Sequence, residues 1–308
     1  MATDAKIQAD ERIAVSLKTL VGLAHSAALL KLDHGRIKSQ QSGGYLSGFT
    51  GRGMEFDETR LYQPGDDIRS IDWRVTARTG KTHTKLFREE RERPVFISVD
   101  YSPSMHFATR GVFKSVQAAK LAALLAWTAQ FHGDRVGGQI YSGCACREFK
   151  PFNGKHAVLR FLNGLAAPIE ATENRAIDFH HAIARLTRHV RPGSLVYLIS
   201  DFRKLDESAE IYLSKLSQHC DVIMIEIHDP LESNLPSKGR YRFTNKNHDV
   251  TVDASEKQKR LVYQNRFKRR QNRLMGLAIK FSIGFIQCST IDNIKQMLSE
   301  LNRSSRLF

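Results

Sequence analysis

The sequence predicts an α/β fold, a doubly wound and mostly parallel sheet wrapped by helices, and three observations predict it. Strand-like and helix-like runs alternate from Val95 onward. The runs 95–99, 194–200 and 221–227 are almost continuously apolar rather than alternating, as strands covered on both faces are. The first two run directly into an aspartate, Asp100 and Asp201, and an open α/β sheet places its ligands outside the carboxyl ends of its strands.

Taken in order, residues 8–32 have helical spacing, with Ile13, Leu17, Leu20, Ala24 and Ala27 on one face. Residues 35–53 are glycine-rich and polar, as a linker or irregular arm would be. The next stretch places Asp66, Asp67 and Asp72 among Arg60, Arg69, Arg74 and Arg78, which predicts a web of carboxylate–guanidinium pairs. Pro64-Gly65 marks a turn there, and Ile68, Ile71 and Trp73 are its expected apolar anchors. After the 95–99 strand, Phe113, Val116, Leu124, Trp127 and Phe131 mark a helix. Residues 135–141 and 145–151 read as a hairpin, and helices follow near 156–164 and 177–190. Leu205, Ala209, Leu213 and Leu216 lie on one helix. Residues 231–254 are a polar excursion with a hairpin, and Ser255 with Gln258 resembles a capping box for a basic helix with Tyr263, Phe267 and Leu274 on one side. A strand over 280–288 and a last helix carrying Ile291, Ile294, Leu298 and Leu301 complete the chain. The domain division is 1–92, a helix and arm packing on the core, and 93–308, the α/β domain, with 231–280 inserted.

Of the 308 residues 41% are hydrophobic, an ordinary proportion for a globular protein. The net charge of +15, from 47 basic and 32 acidic residues, is not ordinary and points to an anionic partner. Nine of the basic residues fall in 256–280 beside the single acid Glu256, so the partner surface is expected there, at Arg266, Lys268, Arg269 and Arg270. The first eleven residues hold Asp4, Asp10 and Glu11, unlike a secretory leader, and the apolar window 19–30 is far short of the roughly 20 residues a membrane span needs. Cys144, Cys146, Cys220 and Cys288 lack zinc spacing, so packed thiols in a reducing cytoplasm are expected.

The run Asp100-Tyr101-Ser102-Pro103-Ser104 presents three oxygen-bearing side chains at alternate positions past a strand end. Oxygen donors suit a hard cation such as Mg²⁺ or Mn²⁺, although the same residues could simply cap the following helix. With strands ordered 3-2-1-4-5-6, the 194–200 strand lies beside the 95–99 strand, and Asp201 joins Asp100, Ser102 and Ser104 at one edge.

D-x-S-x-S after the first strand and S-D after the fourth resemble the metal-ion-dependent adhesion site of von Willebrand factor A-type domains. The run E-F-D-E-T-R-L-Y-Q-P-G-D-D-I-R-S-I-D-W-R-V-T-A-R, followed by D-Y-S-P-S-M and L-I-S-D-F, resembles more specifically a bacterial family of uncharacterised function. Its members are often encoded beside MoxR-type AAA+ ATPases. The resemblance implies a von Willebrand A-like fold, metal-dependent binding of a protein client, and a chaperone-like role with the ATPase. It assigns Asp100, Ser102, Ser104 and Asp201 to the metal. Such sites usually take a further threonine, and here Thr172 stands several residues too early while Asp178 is the oxygen donor nearest the expected place.

Two other functional classes compete with that reading. An Mg²⁺-dependent phosphotransferase would use Asp100 as nucleophile, but it typically wants a second acid where Ser102 stands, and no P-loop-type glycine loop is present. Nucleic-acid binding through the basic helix would require no more than its charge and the interleaved Tyr263 and Phe267, yet no nucleic-acid motif accompanies them. No nucleophile–base pair accompanies Asp100, so binding rather than catalysis is expected.

Overall fold

The computed structural model describes residues 11–28, 54–89, 93–168, 177–237, 239–245, 248–293 and 295. Its centre is a six-stranded sheet formed by β3 (Pro94–Asp100), β4 (Arg135–Tyr141), β5 (Cys146–Phe152), β6 (Leu195–Ser200), β7 (Asp221–His228) and β10 (Gly284–Ser289). The spatial order is β10-β7-β6-β3-β4-β5, with β5 alone antiparallel. That is the predicted doubly wound order, and it sets Val99 of β3 opposite Ile199 of β6. The parallel strands read as continuous apolar runs because helices cover both faces. On one face α4 (Lys114–Phe131) is buried along nearly its whole length between the sheet, α5 (Lys155–Ala166) and the short helices α1 (Leu17–Gly22) and α2 (Ala24–Ala28). The other face packs Phe96, Val196 and Leu198 against α6 (Phe179–His189), α7 (Glu207–His219) and α9 (Lys257–Phe281).

The chain divides into two compact units, one combining the N-terminal stretch to residue 37 with 93–308, the other covering 38–92. The N-terminal helical segment thus groups with the sheet unit rather than with the arm. It is also broken at Gly22–Leu23 instead of running through, with Leu20 and Ala27 buried while Ile13 and Leu17 remain exposed. Trp127 Nε1 donates to the Leu20 carbonyl at 3.2 Å, fixing the break onto α4.

The smaller unit contains the antiparallel pair β1 (Met54–Leu61) and β2 (His83–Glu89), a 3₁₀ turn at Ile68–Ser70 and α3 (Trp73–Thr79). The expected web of ion pairs is mostly replaced by capping. Asp67 accepts from the Arg69 N–H, and Asp72 from those of Arg74 and Val75, because short acidic side chains satisfy free donors at helix starts. Arg60 and Asp66 do pair, at 2.7 Å. Ile68 and Trp73 are not anchors: they stand 66% and 67% exposed.

Other boundaries shift for identifiable reasons. The basic helix begins at Lys257 with Glu256 in the cap position and no side-chain capping bond, so the Ser255–Gln258 box does not set its start. It continues to Phe281, which delays β10 to Gly284. The predicted hairpin in the excursion is β8 (Arg240–Asn245) with β9 (His248–Asp253). Cys220 and Cys288 are buried as expected, whereas Cys144 is exposed in the turn between β4 and β5. The expected arm over 35–53 and, of the expected last helix, Ile294, Leu298 and Leu301 lie outside the described residues, while Ile291 lies in a turn. Among the described residues no helix is long and apolar enough to cross a membrane.

Two packing details hold the sheet and its carboxyl edge. Gly138 of β4 lies so close to its neighbours that a Cβ would meet the Ile97 carbonyl oxygen at 2.3 Å and Phe161 Cε2 at 2.9 Å. Asp229, wholly buried, begins α8 (Pro230–Ser233) and accepts from Thr109 N–H, Thr109 Oγ1, Leu231 N–H and Thr290 Oγ1. Burial pushes this carboxyl up, but the donors outweigh it and hold it below its ordinary range. Gly138→Ala is therefore expected to cost about 3 kcal/mol in chemical denaturation through overpacking. Asp229→Ala should cost about 3 kcal/mol near neutral pH, since two backbone donors lose their acceptor. A depressed folded pKa contributes stability above the unfolded value of roughly 3.9, lost as pH falls through the folded one. The difference between wild type and Asp229→Ala should accordingly shrink in acid.

Candidate functional site

Strand β3 ends at Asp100 and a tight 3₁₀ turn, Pro103–Met105, follows, so Ser102 and Ser104 emerge at the same sheet edge. Asp100 is 5% exposed. Its Oδ1 accepts from the Ser102 N–H at 2.7 Å and its Oδ2 from Ser200 Oγ at 2.6 Å. The hydroxyls of Ser102 and Ser104 lie 3.1 Å apart. Among the described residues no lysine or arginine forms an ion pair with Asp100. Burial, and secondarily the charge of Asp201, raises its pKa against the hydrogen bonds that favour the carboxylate. The buried Tyr141 hydroxyl lies beside Asp100 and Ser200 without a well-formed hydrogen bond among the described residues, and burial and the charge of Asp100 raise its pKa. Asp100, Ser102, Tyr141, Ser200 and Lys204 help to line a cavity of about 10 Å³, enough for one water-sized occupant.

Asp201 follows β6 and is 2% exposed, adjacent to Asp100 as strand order predicts, but its carboxylate is already compensated. Lys114, at the first turn of α4 and wholly buried, donates to Asp201 Oδ2 at 2.9 Å and to Glu232 Oε1 at 2.8 Å. Arg203 reaches the same two carboxylates, 2.8 Å from Glu232 Oε1 and 3.6 Å from Asp201 Oδ2. Burial pushes Asp201 up, but the Lys114 ammonium, with Arg203, prevails and holds it below the usual carboxylate range. A lysine at a helix N-terminus opposes the helix dipole, so the paired carboxylates must offset both that and its desolvation. Two cations and two carboxylates balance, which leaves Asp201 little negative potential for a metal.

The turn out of β6 is strained as well as polar. Phe202 adopts φ 49°, rare for a bulky side chain. Its N–H donates to Ser200 Oγ at 3.0 Å and its ring packs edge-on against Phe179, 5.4 Å between centroids. Asp201 consequently faces inward while Arg203 emerges to solvent.

The remaining predicted residues divide. Asp178 is at the start of α6 but is 40% exposed and bound to Lys204 Nζ at 3.0 Å, which lowers its pKa. Thr172 lies outside the described residues. Arg266, Lys268 and Arg269 are exposed on α9, whereas Arg270 turns inward, over the Phe267 ring and 3.7 Å from the buried Glu226. Sequence reasoning missed Lys114, Glu232 and Arg203. Lys114 opens an apolar helix, and only a buried lysine's need for buried carboxylates could have prompted a search for its partners.

For a hard cation, the Asp100–Ser102–Ser104 side fits by donor type and by the lack of an ion pair on Asp100 among the described residues. The Asp201 side does not, because Lys114 takes the cation's place. Among the described residues no group of three or more His, Cys, Asp or Glu side chains could hold a metal, so hydroxyls and water would complete any shell.

Sheet order and edge together define a doubly wound α/β domain. The chain belongs to the family described as protein of unknown function DUF58, whose model matches residues 58–273. It is 31% identical over 230 residues to the uncharacterized protein Mb1516 of Mycobacterium bovis, covering 75% of this chain and 69% of that one. It is also similar to the crystal structure of conserved hypothetical protein BatB from Bacteroides thetaiotaomicron, at 14% identity and TM-score 0.46 over 70% of this chain and all of that one. Against the crystal structure of the SpRpn10 VWA domain the identity is 10% and the TM-score 0.36, over 68% of this chain and 94% of that one.

Lys114→Met should cost about 3–5 kcal/mol in denaturant melts, because it leaves two buried carboxylates with only the half-exposed Arg203 between them. Adding Glu232→Gln should recover part of that loss, and a double-mutant cycle checks the coupling.

Proposed function

We propose that this chain is a non-catalytic protein-binding module whose docking edge is Asp100, Ser102 and Ser104. The observation that carries the reading is a buried carboxylate without an ion pair among the described residues, set beside two hydroxyls and a water-sized cavity at the carboxyl edge of the sheet. Mg²⁺ or Mn²⁺ would be held by these three residues. A cation with one carboxylate and neutral hydroxyls around it stays electrophilic, so a carboxylate of the partner can complete its shell. Asp201 would act through Lys114 and Arg203 by fixing the floor of the edge rather than by ligating the ion. Binding is favoured over catalysis because the Ser102 and Ser104 hydroxyls bond to one another, and His106 Nδ1 faces the Ser102 carbonyl oxygen at 3.2 Å rather than a hydroxyl.

The partner implied by the sequence resemblance is a MoxR-type AAA+ ATPase, with a protein client assembled or activated by the pair in the cytoplasm. Four free cysteines are consistent with that compartment. The test combines Mn²⁺ titration followed by electron paramagnetic resonance with capture of partners from the source lysate. Asp100→Ala should weaken Mn²⁺ binding by about tenfold or more and release the ATPase, as EDTA should. Unchanged Mn²⁺ affinity and an unchanged set of captured proteins in Asp100→Ala would sink the proposal.

A further inference from the structure

Immediately beyond the docking edge, a second concavity of about 250 Å³ is lined by Phe202, Arg203, Leu205, Arg269, Arg270, Arg273 and Leu274. Its floor is apolar: Phe202, Leu205 and Leu274 are all buried residues whose surfaces face the groove. Its rim is four guanidiniums. Three of them have a carboxylate of their own: Arg203 with Glu232 at 2.8 Å, Arg273 with Glu210 at 2.6 Å, and Arg270 with Glu226 at 3.7 Å. The Arg270 pair is long, and among the described residues its buried Nε and one terminal nitrogen make no hydrogen bond. Arg269 is exposed and, among the described residues, has no carboxylate partner.

Building on the protein-binding reading, we infer that this groove is the seat for an acidic peptide segment of the partner, taking one large apolar side chain on its floor and the flanking carboxylate on Arg269. The local charge is what selects that occupant. Four guanidiniums and Lys114 against Asp201, Glu210, Glu226 and Glu232 leave a net charge near one, which a single carboxylate neutralises. A nucleic-acid backbone needs a row of unpaired cations, one for each phosphate contacted. The volume is also below the roughly 300–1,000 Å³ of small-molecule sites, yet adequate for a side chain and its adjoining backbone. Guanidinium forks pair with carboxylates in two-point geometry, so a peptide glutamate or aspartate is matched in shape as well as sign.

Fluorescence anisotropy on the full chain tests this with a labelled peptide carrying Leu-Phe between glutamates, its twin with glutamines instead, and an oligothymidylate. The acidic peptide should bind, with the glutamine twin and the Arg269→Glu variant each weaker by about tenfold or more. Lys280→Glu makes the same charge change about three turns further along α9, exposed and outside the groove, and should cost less than about threefold. Equal losses in the two variants, equal affinity for the two peptides, or tighter binding of the oligothymidylate would overturn the assignment. Circular dichroism confirms that Arg269→Glu is folded. EDTA should leave the peptide affinity unchanged; loss of the peptide there would overturn the groove as its seat. Mn²⁺ binding read on the same samples lets the metal edge fail or stand separately.

Discussion

The arrangement at the carboxyl edge depends on one buried ammonium. Lys114 enters at the start of a helix that is buried along nearly its whole length, and it survives without solvent only because Asp201 and Glu232 converge on it. Those carboxylates come from the turn after β6 and from α8, so one cation joins three segments distant in sequence. Such a knot contributes little net stability against an apolar alternative of equal volume, but breaking it leaves charges stranded. It acts as a specification of geometry. The turn after β6 has to place Asp201 inward for the knot to close, and everything beside it is arranged accordingly.

That knot also separates two carboxylates that the sequence presents as equivalent. Asp100 and Asp201 both end apolar strands and both lie within the sheet's carboxyl edge, yet burial raises the pKa of one, while Lys114 and Arg203 depress that of the other. The difference is the placement of lysine and arginine side chains, not the strands. The Asp100 side is left without a counter-ion among the described residues, and the Asp201 side becomes scaffold.

What could be read in advance follows from the range of the interactions concerned. Continuous apolar runs over 95–99 and 194–200 require strands covered on both faces, so the sheet, its order and the adjacency of Asp100 to the β6 terminus were legible. Asp100, Ser102 and Ser104 were legible because they are neighbours along the chain. Lys114 and Glu232 were not, being 118 residues apart and ordinary in their local sequences. The acidic run over 66–72 misled for the opposite reason: Asp67 and Asp72 met backbone N–H groups two or three residues on before any arginine could reach them. The basic helix displayed its charge plainly. Which of its arginines face a carboxylate, as Arg270 and Arg273 do, depends on α7 and β7, which periodicity cannot register.

Phe202 gives the edge a further property. A bulky residue at φ 49° stores strain of roughly 1–3 kcal/mol, held there by the Phe179 contact and the bond to Ser200. Because of that corner, three consecutive residues serve three directions: Asp201 the interior, Phe202 the apolar floor, Arg203 the surface. The two concavities on either side therefore share a single pivot, and their spacing is set by one peptide unit rather than by a loop that could lengthen. Divergent relatives can exchange the residues around either concavity independently, but they cannot move the concavities apart without rebuilding the strand end itself.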